Sequence, residues 1–470
     1  MKTIIFNIGT LAGILPKGIL KLEGSRMNNV ECIEDAYLVI EDGIITGFGE
    51  MSDSVILKGE SQSSQRGNSP VILNGESQSS QRGNSPVILN GTKCSEESLS
   101  ERSFADAQDD KNGTQEEKIE YIDAKGGFVM PAFCDSHTHI VYAGCRDGEF
   151  RDKIAGLSYE EIAARGGGIL NSADLLHNTS EEELYEQSME RVREIMAMGT
   201  GAVEIKSGYG LTVEDELKML RIIKRIKETA PLTVKANFLG AHAVGRAYRG
   251  RQSEYVDLVC EEMLPKVAEE GLADFVDVFC DTGFFTVEET ARILEKAANL
   301  GIRAKIHANE LEVSGGVQVG VKYNALSVDH LEKTTEAEIE ALRGSKTMPT
   351  MLPGCSFFLG IPFGNAKGYI EAGLPVALAS DYNPGSSPSG NMRFVMALGC
   401  IRMRLTPEQS FNACTINTAY AMGVSDELGS ITVGKKANLI ITKPVPSLAF
   451  IPYSHQTPVI EQVILNGTRI

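Results

Sequence analysis

The 470-residue chain contains no tryptophan, and it never places two of its nine cysteines in a C-x-x-C pair. The cysteines are odd in number and scattered, which is typical of reduced thiols in a cytoplasmic protein rather than of a disulfide framework or a zinc ribbon. No apolar run reaches the roughly 18 residues that a membrane span requires. The sequence therefore predicts a cytoplasmic protein that does not cross a membrane.

Basic residues are also in deficit, because 45 lysines and arginines stand against 63 acidic residues and give a formal net charge of −18. A nucleic-acid-binding protein normally carries a basic stripe, so this class is disfavoured. A small anionic substrate is still compatible with the composition, since one arginine can dominate the field inside a pocket. The chain is long enough for a large domain with an appendage.

A 16-residue repeat interrupts the N-terminal part of the chain. The segment VILKGESQSSQRGNSP at 55–70 recurs as VILNGESQSSQRGNSP at 71–86, and VILNG begins a third copy. A solenoid would need a continuous apolar face, whereas each copy offers only Val-Ile-Leu beside a polar remainder. Together with the polar tract that follows, this composition predicts a low-complexity, mostly disordered insertion over 54–118.

The rest of the chain reads as an α/β protein. Short apolar runs that end in polar or glycine-rich stretches alternate with helical patterns; the runs are FVMPAFCDSHTH, GAVEIKSGYG, LTVKANFLGAHAV, ADFVDVFCDTG, IRAKIHANE, ALSVDHLE, KTMPTMLPG and LPVALASDYNPG. Eight such runs predict a (β/α)8 TIM barrel over 130–429, with a doubly wound sheet as the alternative. Strand-like segments in 1–53, 119–129 and 430–470 predict a small β-sandwich-like domain formed by both chain ends.

Histidines are few, yet several of them close predicted barrel strands. The chain has seven histidines, and the strand ends carry His137 and His139, His242, His307, His330 and, on the last strand, Asp381. In a TIM barrel these ends share one face, where catalytic groups collect. Residues i and i+2 of a strand point the same way, so His137 and His139 can converge on Zn²⁺ or Fe²⁺.

Two of these residues and two further side chains fit hydrolytic chemistry at this face. Glu310 could move the proton of an attacking water, and His330 could orient that water or stabilise an oxyanion. The Asp381 carboxylate follows the apolar run PVALA, where it is costly unless paired or bound to metal. Arg146 is suited to bidentate capture of a carboxylate. Without such chemistry, His330 would be a hydrogen-bonded core histidine, Glu310 would belong to a polar strand end, and Arg146 would form a surface ion pair.

Taken in order, these motifs resemble the amidohydrolase superfamily, and the likeness covers the chain apart from 54–118. It implies that His137, His139, His307 and Asp381 hold one Zn²⁺ or Fe ion per chain. It implies catalytic roles for Glu310, His330 and Asp381, and contacts to a small anionic substrate from Arg146, Tyr209, His242, Glu310, Asn383, Gly385 and Ser386. A homodimer is also implied.

Within the superfamily the motifs are similar to those of the ring-opening hydrolases of histidine degradation. The reaction implied is hydrolysis of the ring C–N bond of 4-imidazolone-5-propanoate to N-formimidoyl-L-glutamate, with the propanoate on Arg146. An aminohydrolase like cytosine or guanine deaminase would share the metal ligands and Glu310, but Arg146 and the segments KSGYGL and SDYNPGS favour a flexible carboxylate over a flat base. A non-catalytic scaffold would be expected to lack metal ligands.

Because the insertion offers little to bury, replacing residues 54–118 with a short Gly-Ser linker is expected to leave turnover, metal content and the thermal unfolding midpoint unchanged. A Gly-Ser linker of the native length serves as the control for chain connectivity. Loss of folded protein in both variants would show instead that the insertion contributes to the core.

Overall fold

The computed structural model describes residues 1–53, 119–157, 161, 165 and 167–470. The insertion predicted at 54–118, including its predicted disorder, lies outside these residues. Among the helices that the described residues form, none is long and apolar enough to cross a membrane.

The strands are, in chain order, β1 (Lys2–Ile14), β2 (Glu31–Glu41), β3 (Ile44–Glu50), β4 (Ile119–Asp123), β5 (Phe128–Pro131), β6 (Phe133–Thr138), β7 (Thr200–Lys206), β8 (Thr233–Ala241), β9 (Phe275–Cys280), β10 (Arg303–Ala304), β11 (Ile306–Ala308), β12 (Ser327–His330), β13 (Met348–Met351), β14 (Ala377–Leu378), β15 (Leu439–Thr442), β16 (Ile460–Leu465) and β17 (Thr468–Arg469).

The α-helices of the described residues are Asp147–Ile154, Ile169–Asn178, Glu181–Ala197, Val213–Thr229, Gln252–Leu258, Leu264–Glu269, Val287–Asn299, Gly316–Lys322, Glu336–Leu342, Pro353–Leu359, Ala366–Glu371, Met392–Met403, Pro407–Cys414, Ile416–Ala421 and Phe450–Tyr453. A π-helical turn, Val259–Met263, and three 3₁₀ turns, Gly24–Asn28, Met51–Asp53 and Arg246–Tyr248, complete the list.

The two chain ends meet in one sheet. Its order is β17-β16-β15-β5-β1-β2-β3, with β4 beside β1. The antiparallel pair of β15 with β5 joins the C-terminal segment to the N-terminal one. Buried aliphatic side chains such as Ile5, Leu38 and Ile441 hold the sheet together. The β-domain expected from both chain ends is confirmed, and its boundaries at 53, 129 and 430 stay a prediction.

The central strands form a parallel barrel, in the order β14-β13-β12-β11-β9-β8-β7-β6 with β10 beside β9. A parallel bridge between Thr138 and Tyr382 joins the first strand to the chain just after the last one. This closure confirms the (β/α)8 barrel and excludes the doubly wound sheet. Every residue of β7 and β9 is buried, as expected where helices cover the outside and side chains fill the inside.

Helix starts follow local capping signals. Thr286 caps the helix Val287–Asn299 in a capping box. Its hydroxyl accepts a hydrogen bond from the Glu289 amide, and the Glu289 carboxylate accepts one from the Thr286 amide. The helix buries Ile293, Leu294 and Ala297 against the barrel. Such local signals set where each βα unit turns, and therefore place the strand ends on a common face.

Two backbone hydrogen bonds align the first and last strand ends. The amide of Asp381 donates to the carbonyl of His137 at 3.0 Å, and the amide of His139 donates to the carbonyl of Tyr382 at 2.8 Å. Barrel closure therefore sets Asp381 beside both histidines, although they are more than 240 residues apart in sequence.

Candidate metal centre and substrate cavity

Three histidines from two strand ends converge in the barrel mouth. One ring nitrogen from each of His137, His139 and His307 lies within 4.8 Å of the others, and all three residues are buried. Asp381 Oδ1 lies 3.6 Å from Nε2 of both His137 and His139. His137 and Asp381 also form a group of this kind with His330. The four residues predicted as metal ligands are thus brought together.

Two buried carboxylates orient two of these histidines. Oδ2 of Asp329 lies 2.7 Å from His137 Nδ1, and Oδ1 of Asp277 lies 3.0 Å from His307 Nδ1. A neutral ring that donates Nδ1–H presents a lone pair at Nε2. Within the described part of the chain, Nε2 of both His137 and His307 has no hydrogen-bond partner. These two nitrogens are therefore preset as acceptors toward an electrophile.

Two lysines neutralise the carboxylates beneath the histidines. Lys206 donates to Glu204 at 2.6 Å and to Asp277 at 2.7 Å, and Lys305 donates to the other oxygen of Glu204 at 2.6 Å. Lys305 also lies 3.5 Å from Asp329, and all five side chains are fully buried. Burial alone would lower the pKa of Lys206, but Asp277 and Glu204 outweigh it and raise the pKa. Lys206 is therefore an ammonium that pairs with these carboxylates.

The electrostatics of the cluster fit a cation. Burial holds the pKa of His137 and His139 well below the usual histidine range, and burial also lowers the pKa of His307 to about 4. The three rings are therefore neutral near pH 7. Burial raises the pKa of Asp381 to about 6. The positive groups around this carboxylate therefore do not fully offset the cost of burying its negative charge. Three imidazoles and a carboxylate are a donor set that suits Zn²⁺ or Fe²⁺.

A cavity of about 370 Å³ opens over this cluster. It is lined by every residue predicted to contact substrate: Arg146, Tyr209, His242, Glu310, Asn383, Gly385 and Ser386. His139, His307, His330 and Asp381 line it as well. Lys153, Phe279 and Phe358 contribute walls for which the sequence offered no signal.

Arg146 is held in place by a carboxylate that sequence analysis missed. Glu149 accepts from Arg146 at 2.6 and 2.8 Å, and it also accepts from the Gly168 amide at 3.1 Å. On the other side of the guanidinium, a Cβ at Gly385 would lie 2.1 Å from Arg146 Nη1. Glycine is thus required at 385 for the close approach of this loop to the arginine.

His242 lies beside the metal-ligand candidates as a neutral ring. Its Nδ1 donates to the Gly208 carbonyl at 3.0 Å, which leaves Nε2 as an acceptor. Burial, with His307 nearby, lowers its pKa to about 3. The ring stacks on His139 with 5.2 Å between centroids, and Tyr209 lies 5.4 Å from it.

The loop after β14 orients Asp381. Oδ1 of Asn383 accepts from the amides of Gly385 at 2.8 Å and Ser386 at 2.7 Å, while its Nδ2 donates to the Asp381 carbonyl at 2.6 Å. Ser386 donates through its hydroxyl to Asp381 Oδ2 at 3.2 Å. Asn383 and Ser386, predicted as substrate contacts, therefore also position the last metal-ligand candidate.

Glu310 and His330 form a pair at the cavity wall. Glu310 Oε2 lies 3.5 Å from His330 Nε2, and Glu332 Oε2 lies 3.5 Å from His330 Nδ1. Burial would lower the pKa of His330, but the two glutamates raise it to about 10; burial raises the pKa of Glu310 to about 7 despite the histidine. His330 and Asp381 both have positive φ, 86° and 57°, a strain found at functional sites.

Comparison with known proteins agrees with this geometry. The amidohydrolase family profile matches residues 128–470. The imidazolonepropionase of Flavobacterium johnsoniae is 48% identical over 467 residues, 99% of both chains, and that of Clostridium tetani is 37% identical over 444 residues, 94% of this chain and 92% of its own. The chain therefore belongs to the amidohydrolase family. More narrowly, it belongs with the imidazolonepropionases.

Solved structures show the same fold at low sequence identity. A guanine deaminase of E. coli superposes with a TM-score of 0.64 at 12% identity, and the alignment covers 100% of this chain and 99% of the deaminase chain. An adenosine deaminase of Xanthomonas campestris, solved with bound zinc, has a TM-score of 0.61 at 14% identity, covering 99% and 92%. At these identities the likeness establishes the barrel and its appended sheet, and not the substrate.

The buried Asp277 yields a prediction for metal affinity. Asp277→Asn keeps the size of the side chain but weakens its bonds to His307 and Lys206, so we expect metal affinity to fall by about 10- to 100-fold. Competition with a chelator measures the affinity. Asp274→Asn, at the partly exposed residue just before β9, should match the wild type. Equal affinity in a folded Asp277→Asn protein would contradict the orienting role.

Proposed function

We propose that the chain hydrolyses the ring C–N bond of 4-imidazolone-5-propanoate and yields N-formimidoyl-L-glutamate, a step of histidine degradation. The observation that carries the proposal is one cavity lined by metal-type donors, by the Glu310–His330 pair and by Arg146, whose side chain is 8% exposed. The full-length likeness to imidazolonepropionases supports it. The arginine favours this anionic substrate over the flat base of a cytosine- or guanine-deaminase-like aminohydrolase.

We propose that His137, His139, His307 and Asp381 hold one Zn²⁺ or Fe ion per chain. When bound, the ion would supply the Lewis acidity that activates water and polarises the ring carbonyl. The unpartnered Nε2 atoms of His137 and His307 and the undercompensated Asp381 carboxylate support this assignment.

Glu310 is the proposed proton carrier. A carboxylate with its pKa near 7 can accept a proton from the attacking water and return it to the ring nitrogen as the C–N bond breaks. His330, cationic beside Glu310 and Glu332, would stabilise negative charge on the carbonyl oxygen. Asp381 would assist by accepting a hydrogen bond from the attacking water.

The proposed substrate orientation follows the cavity from the histidines to Arg146. The propanoate would bind the guanidinium, which Glu149 and Gly385 hold in position. His242 and Tyr209, which lie 5.2 and 5.8 Å from His139, would flank the ring. Asn383, Gly385 and Ser386 would contact the far end of the substrate.

We also propose a cytoplasmic homodimer. The cysteines of the described residues are all free thiols, as expected in a reducing compartment. Neighbouring helices expose the apolar side chains of Phe357, Ile401 and Tyr453, with 55%, 61% and 81% of their surfaces accessible, and pairing with a second copy would cover such side chains.

The primary test is ultraviolet-monitored consumption of freshly generated imidazolone propanoate by the purified protein, with metal content measured on the same sample. Wild type should turn over with one ion per chain, and His137→Ala should lose both metal and turnover. Glu310→Gln should keep the metal and lose turnover by about 10²- to 10⁴-fold. Metal without turnover would direct the search to deaminase substrates, and absence of both would favour a scaffold.

Arg146 should determine substrate affinity. Loss of charge-assisted bonds worth about 3 kcal/mol predicts that Arg146→Met raises KM about 100-fold. The double variant Arg146→Met/Glu149→Gln also removes the Glu149 carboxylate, which would repel the propanoate once the arginine is absent. Comparison of the two variants therefore separates the loss of the arginine's attraction from repulsion by Glu149. Arg151→Met, at an exposed residue on the adjacent helix, is the matched control. An unchanged KM in both Arg146 variants would exclude its contact with the propanoate.

A further inference from the structure

A second group of metal-type donors lies beside the same cavity, which Glu310 and His330 line and Cys355 does not. One donor atom from each of Glu310, His330 and Cys355 lies within 4.8 Å of the others. The Cys355 sulfur is 4.0 Å from Glu310 Oε1, and His330 Nε2 is 3.5 Å from Glu310 Oε2. Glu310 and Cys355 lie outside the groups of donors that include His137, whereas His330 also has a donor atom within 4.8 Å of donor atoms of His137 and Asp381.

Burial makes this group more than a chance cluster of polar side chains. Cys355 is fully buried, His330 is 3% exposed, and the Glu310 side chain is 13% exposed where it meets the cavity. Nδ1 of His330 faces Glu332. Glu332, 3.5 Å from that nitrogen, adds negative charge. Two carboxylates therefore face the single imidazolium of His330, which leaves surplus negative charge beside the Cys355 thiol.

The donor types select the class of cation. A thiolate with an imidazole and a carboxylate suits Zn²⁺ and softer divalent ions, whereas Mg²⁺ and Ca²⁺ prefer oxygen ligands throughout. Binding would replace the Sγ–H bond of Cys355 and the Nε2–H bond of the His330 imidazolium with bonds to the metal, and both protons would be released to solvent. No electron transfer is involved.

We propose that Glu310, His330 and Cys355 form a second, inhibitory site for a thiophilic divalent cation such as Zn²⁺ or Cd²⁺, filled in addition to the histidine centre. An ion on Glu310 would occupy the carboxylate needed for proton transfer, so hydrolysis would stop. The inhibitory consequence rests on the proposed function, whereas occupancy of the site does not.

The test begins with the holoenzyme carrying its first equivalent of metal. Cd²⁺ is added while bound cadmium is measured by equilibrium dialysis and the ultraviolet thiolate-to-cadmium charge-transfer band is recorded. Retention of the first metal is counted in the same samples. We expect one further equivalent that produces the band and abolishes turnover. Cys355→Ala and Cys355→Ser should keep the first metal and basal turnover, lose the band, and bind the second ion at least tenfold more weakly. Cys32→Ala, at an exposed thiol in strand β2, should behave as wild type.

Each outcome separates the parts of the proposal. The proposed site would be overturned if no second equivalent of cadmium binds. It would also be overturned if a second equivalent binds and the charge-transfer band is unchanged in both Cys355 variants. Binding at Cys355 with undiminished or increased turnover would overturn the inhibitory assignment. Failure of the proposed function would show earlier, as absence of imidazolone hydrolysis before cadmium is added, and the binding titration would still decide the site.

Discussion

The buried charge network under the histidines is the interaction on which the candidate site depends. Lys206 and Lys305 face Glu204, Asp277 and Asp329 inside the barrel, away from water. Burying an ion costs several kcal/mol, so such groups persist only when each is well paired. Here the pairing is shared with the rings, because Asp277 and Asp329 also bond His307 and His137. Ring tautomers, and with them the free Nε2 lone pairs, follow from this arrangement.

Barrel closure supplies the second constraint. The amide of Asp381 bonds the carbonyl of His137, and the NPGS loop that follows it orients the carboxylate. His330 and Asp381, which line the cavity, both have positive φ, a strained backbone conformation for residues other than glycine. A closed, well-packed barrel can hold residues in such conformations because its strands cannot move independently.

Much of the fold was predictable because its signals are local. Eight apolar runs of strand length, each ending in polar residues, predict a parallel barrel, and β-rich ends predict the separate sheet. The histidine and aspartate at strand ends were predictable for the same reason, since C-terminal strand ends share one face. Asp277 left a weaker signal, a lone carboxylate inside the apolar strand FVDVFC, which is costly unless paired. Glu149 left none, because it is one of several acidic residues on an ordinary helix.

The sequence by itself determined the element types, the strand ends and the chemical identity of the donors, since these depend on residue type and short-range spacing. Tertiary structure decided which nitrogen of each ring is available, that Lys206 is an ammonium, that Asn383 and Ser386 orient Asp381, and that Cys355 lies beside Glu310. These properties depend on distances between residues far apart in the chain. Such distances are set by closure and packing of the barrel, and local sequence carries no record of them.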